Sequence, residues 1–105
     1  MRPEAVSVWH VYMVRTGADT LYTGITTDTS RRVAEHSKGG RSGAKSLRSR
    51  GPVKLVYAAS IGAHGLALKV EHRIKKLSKV RKEALVAAQP GRRALIQTLG
   101  LTGVK

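Results

Sequence analysis

The chain has 105 residues, with 20 Lys plus Arg against 6 Asp plus Glu, a formal charge of +14, and a hydrophobic fraction of 41%. That is the length of one domain with apolar matter enough for a small core, which argues against wholesale disorder. The absence of Cys excludes disulfides, thiolate metal sites and a cysteine nucleophile, and no apolar run approaches the ~20 residues of a membrane span.

Met1 to Ser7 include Glu4 and lack the apolar stretch of a secretory leader, so none is expected. Val6 to Arg15 (VSVWHVYMVR) is rich in β-branched and aromatic residues and predicts a first strand. Thr16, Gly17, Ala18 and Asp19 carry turn chemistry and Thr20 to Thr26 predicts a second strand, so the pair reads as an antiparallel hairpin. Alternation puts Trp9, Val11 and Met13 on one face of the first strand and Val8, His10, Tyr12 and Val14 on the other. Both faces are largely apolar, which predicts a central strand covered on at least one side.

Asp28 is placed to cap a helix starting near Thr29 and ending at Gly39 and Gly40. The stretch Gly39 to Gly51 (GGRSGAKSLRSRG) is a pliant basic loop, able to bring backbone N–H groups and cations close to phosphates. No carboxylate falls between Glu35 and Glu71, whereas Lys38, Arg41, Lys45, Arg48, Arg50, Lys54 and Lys69 all do. A charge this large repels itself in a compact chain, so a polyanionic partner is expected. A membrane-surface helix would set Trp, Phe or Leu opposite a basic face, but Phe is absent and Trp occurs once, which favours nucleic acid. The plain alternative is a solvated basic loop without a specific partner.

Pro52 opens a third predicted strand, Val53 to Ser60. From about His64 the period becomes helical, with Ala67, Val70, Ile74 and Leu77 in one apolar stripe. A break is expected at or just after Ser78, then a short helix over Lys82 to Ala88, an interruption at Pro90 and Gly91, and a last turn or two around Arg93 to Leu99. Gly100 to Lys105 is expected to fray. The order ββαβα with extra C-terminal helix describes an α+β domain spanning residues 1–105, its core over about 8–85 and an extension over 86–105.

The four His show no zinc-ligand spacing, and no phosphate-binding glycine loop or nucleophile elbow occurs. Tyr12 and Tyr22 fall roughly opposite each other in the hairpin, where cross-strand side chains meet. Arg32 and His36, four apart, share one helix face. Glu71 is the one acid between His64 and Lys82, a stretch with seven Lys or Arg. Each has an ordinary reading: strand tyrosines pack, helical Arg and His are solvated, and Glu71 before Lys75 is a favourable surface pair worth a few tenths of a kcal/mol, roughly.

Together, Val11-Tyr12, Tyr22-Thr23-Gly24, Arg32 to His36 and Glu71 resemble the GIY-YIG nuclease superfamily, and LYTGITTDTSRR is similar to its single-domain YhbQ-like branch. The first triplet is His10-Val11-Tyr12, without the family's leading Gly; Thr23 stands where Ile or Val is usual, and the chain contains no Asn. The resemblance implies a three-stranded antiparallel sheet flanked by helices and a metal-dependent endonuclease. Its substrate would be DNA rather than RNA, branched or damaged DNA in repair or recombination being one case. Tyr12, Tyr22, Arg32, His36 and Glu71 would be catalytic, and Glu71 would hold one Mg2+ or Mn2+. Arg32 would contact the scissile phosphate, Tyr12 would serve the attacking water, Tyr22 would orient water or phosphate, His36 would support proton movement and Thr26 would assist through its hydroxyl. Arg31, Lys38, Arg41, Lys45, Arg48, Arg50 and Lys69 would bind nucleic acid. The expected protein is a monomer in the cytoplasm, nucleoid-associated in a bacterium, with no membrane partner. The alternative is a DNA- or RNA-binding module that keeps the fold and cleaves nothing.

Overall fold

β-Branched and aromatic residues on either side of a five-residue connection bring the first two elements together. Strand β1 (Trp9–Arg15) pairs antiparallel with β2 (Leu21–Thr26). Thr16 holds the turn: its hydroxyl accepts from the Ala18 and Thr20 N–H groups, and its carbonyl accepts from the Asp19 N–H. The structure, a computed structural model, describes residues 8–32 and 53–101.

β3 (Lys54–Gly62) pairs antiparallel with the other side of β1, giving the order β2-β1-β3. The strand with two apolar faces is thus the central one. β3 outlasts the Ser60 boundary read from the sequence because Trp9 pairs with Gly62, a register shift next to it absorbing Ile61. Gly62 then turns the chain at φ 124°, a conformation that favours glycine.

Residues 29–32 form a helical turn; the expected end of that helix at Gly39 and Gly40 lies outside the described residues. Three further helices follow β3: α1 (His64–Lys75), α2 (Lys79–Ala88) and α3 (Arg92–Thr98). The stripe Ala67, Val70 and Ile74 is buried as its spacing predicts, whereas Leu77 lies past the end of α1 and is only partly covered. α2 begins three residues before the predicted Lys82, since the Ser78 hydroxyl accepts from the Arg81 N–H and caps it. The basic first turn hid that start.

One face of the sheet supplies Val11 and Met13 to a core completed by Tyr57, Ile61, the α1 stripe, Leu85, Leu95, Leu99 and Leu101. Leu101 is only 3% exposed, and Leu99 gives its carbonyl to Arg73, so the chain stays packed one residue beyond the Gly100 at which it was expected to fray. The other face carries a smaller cluster of Tyr12 and Val14 with Tyr22 and Val53. Among the described residues no helix is long and apolar enough to cross a membrane.

Candidate active site

The smaller face owes its geometry to the hairpin register. Tyr12 stands opposite Gly24 and Tyr22 opposite Val14, so the phenols are diagonal neighbours instead of a directly opposed pair. Gly24 is what lets Tyr12 lie down. A Cβ at that position would sit 2.5 Å from the Tyr12 hydroxyl oxygen and 2.7 Å from Cζ, closer than real Cβ contacts come. A glycine inside a strand commonly marks such a close approach.

Arg32 reaches this face from the turn that follows β2. The Thr26 hydroxyl accepts from the Asp28 N–H at 3.0 Å. Asp28 in turn accepts from the Arg31 N–H with its carboxylate and from the Arg32 N–H with its carbonyl, each at 3.1 Å. Asp28 therefore caps the helix as the sequence predicted, and Thr26, buried at the strand end, acts on that turn. The Arg32 guanidinium hydrogen-bonds the Tyr12 hydroxyl.

Glu71 comes from α1, one position past Val70 and four past Ala67, at the flank of the buried stripe. Its side chain is 18% exposed and pairs with Lys75, Nζ to Oε2 3.2 Å. The carboxylate also acts on Tyr12. Burial raises the Tyr12 phenol above its usual value, Arg32 pulls it back by charge and hydrogen bond, and Tyr22 and Glu71 push it up. Burial prevails, so Tyr12, 1% exposed, is a neutral phenol at physiological pH.

Tyr22, Arg32 and Glu71, from β2, the helical turn and α1, thus all act on the Tyr12 phenol of β1. His36, Lys38, Arg41, Lys45, Arg48 and Arg50 lie outside the described residues. Arg31 is an exposed side chain 3.7 Å from Asp28, a surface pair of little energetic weight. Lys69 follows a different direction: two residues from Glu71, about 200° around the helix, it lines a cleft with Gly62, Gly65, Leu66 and Arg92. Sequence reading missed two contributions, the seat that Gly24 makes for Tyr12 and the Thr26–Asp28 turn that aims Arg32. The signals were a glycine within a strand and a Thr-x-Asp sequence before a helix.

No group of three or more His, Asp or Glu able to hold a metal stands together among the described residues. The Glu71 carboxylate, whose charge acts on Tyr12, is nevertheless a hard oxygen donor. It suits Mg2+, which is commonly held by one or two carboxylates while substrate phosphates and water fill its other positions.

The GIY-YIG catalytic domain model matches residues 8–84. UPF0213 proteins of Yersinia pestis and Yersinia pseudotuberculosis are 51% identical over 84 residues, covering 80% of this chain and 86% of theirs. The solution NMR structure of a UPF0213 protein from Bacillus halodurans superposes with a TM-score of 0.52 at 35% identity, over 90% of this chain and 99% of that one. The model matches most of the chain, and relatives half identical to it cover four fifths of its length, so the chain belongs to the GIY-YIG catalytic domain family.

Proposed function

We propose that the chain is an endonuclease that hydrolyses phosphodiester bonds in DNA, branched or damaged structures included, with one Mg2+ or Mn2+ at Glu71. The observation that carries this reading is the interaction of Tyr12 with Arg32, Tyr22 and Glu71. A domain that only adhered to phosphates would need its cations but not two tyrosines and a carboxylate brought together from separate elements.

Hydrolysis forms a bond from water oxygen to phosphorus as the bond to the leaving sugar oxygen breaks. Arg32 is suited to the phosphate, since guanidinium donors match the charge gathering on its oxygens. Glu71 would hold the divalent ion, which would supply Lewis-acid stabilisation of developing negative charge. Tyr12 takes part in moving the water's proton. Because its phenol is held neutral, it acts as a relay, accepting that proton as it releases its own to solvent, directly or by way of the Tyr22 hydroxyl, while the leaving sugar oxygen takes up a proton from solvent. Tyr22 orients water or phosphate, and His36 supports the transfer as an imidazole able to take up or give a proton. The remaining cations, Arg31, Lys38, Arg41, Lys45, Arg48, Arg50 and Lys69, bind the nucleic-acid backbone.

The test incubates nicked, flapped, junction and linear duplex DNA with purified protein, Mg2+ or Mn2+ being compared with chelator. Cutting should require the ion and fall by about 10²-fold or more in Glu71→Gln and Arg32→Ala. Equal cutting by wild type and Glu71→Gln would sink the enzymatic reading. Binding without any cutting would leave a nucleic-acid-binding module.

A further inference from the structure

Glu71 has seven Lys or Arg around it in sequence between His64 and Lys82, and the one seated on its carboxylate is Lys75, one helical turn on. The two side chains are held very differently. Glu71 is 18% exposed, anchored at the edge of the core where its charge reaches Tyr12. Lys75 is 51% exposed, an ammonium on a flexible four-carbon stem largely in water. A divalent ion that uses Glu71 as its protein carboxylate meets a cation 3.2 Å from the oxygen it needs. Either Lys75 leaves or the two positive charges share one carboxylate.

We propose that Lys75 is an internal counter-cation: it occupies Glu71 in the free protein and yields it when nucleic acid arrives, so that metal uptake is coupled to substrate binding. This rests on the reading of Glu71 as the metal-holding carboxylate. Without substrate, an incoming divalent ion must displace Lys75 into water and gains only a single carboxylate. Against a phosphate backbone the displaced ammonium finds a new anion, and phosphate oxygens complete the ion's ligands. Linkage makes the effect reciprocal, so the ion tightens nucleic-acid binding by the factor with which nucleic acid tightens the ion. The same pair read as surface decoration would change neither affinity.

Mn2+ binding to the full chain, followed by electron paramagnetic resonance without nucleic acid, tests this on wild type, Lys75→Met, Lys75→Arg and Glu71→Gln. Both substitutions at Lys75 keep a long, helix-compatible side chain, and Lys75→Gln serves as a second neutral variant. Lys75→Met and Lys75→Gln should bind Mn2+ about fivefold more tightly than wild type, Lys75→Arg about as wild type, and Glu71→Gln should lose the site. In a second arm, Ca2+ should tighten duplex DNA binding more in wild type than in Lys75→Met. Equal Mn2+ affinity in wild type and both neutral variants, with Glu71→Gln still abolishing binding, would overturn the role of Lys75 and leave Glu71 as the ligand. Mn2+ binding that survives Glu71→Gln would overturn the metal reading of Glu71, and the inference with it.

Discussion

Tyr12 is the most constrained side chain of the site, closed in by burial and lying across a residue that has no side chain. Replacing Gly24 by Ala forces a methyl to within 2.5 Å of the phenol oxygen, and the close Cζ contact prevents a small hydroxyl shift from relieving it. Gly24→Ala should therefore lose about 1–3 kcal/mol in urea unfolding and cut DNA more slowly, because the Tyr12 ring must lift away. Adding Tyr12→Ala removes the clash, so the two stability losses should fall short of additive. The participants at the site were readable as residue types in a familiar order, and Arg32 could be placed on a helix because Asp28 caps it locally. That Tyr12 rests on Gly24 was not readable: it follows from a register in which Tyr12 opposes Gly24 rather than Tyr22. A shift of two residues keeps every side chain on its face, so alternation alone cannot choose between the two pairings.

Between elements, the best-defined polar tie joins the end of β1 to α2. Arg15 donates two hydrogen bonds to Glu83, at 2.7 and 2.8 Å, and a third to Asp19. Lys79 adds its charge 3.5 Å from Glu83. The Arg15 bonds hold the Glu83 carboxyl at about 2 instead of 4.5. A depressed folded-state pKa means stability fully present above pH 4.5 and lost as pH falls toward 2. The melting temperature of wild type should thus exceed that of Glu83→Gln at neutral pH, and the gap should close across that acid window. The hairpin, the α1 stripe and the α+β order were visible beforehand because each rests on periodicity within a short stretch. The early start of α2 and the burial of Leu101 were not. One hung on a Ser cap before a basic turn, the other on contacts with distant parts of the core.

Over the whole molecule, a charge of +14 on 105 residues sets a strong attraction for phosphates, whatever chemistry follows. Duplex DNA affinity should drop by about 10³-fold between roughly 50 and 200 mM salt, and Arg32→Ala should lower the slope of log affinity against log salt by about one. A flat salt response would mean that the charge does not meet phosphates. Charge, strand and helix periodicity and the motif order could be read from the chain alone, because each is a local property of neighbouring residues. The diagonal setting of the tyrosines, the flank position of Glu71 and its charge contact with Tyr12 arise only when a hairpin register and a helix azimuth are fixed together. Those are set by packing between segments far apart in the chain, and no local pattern encodes the angle at which α1 meets the sheet.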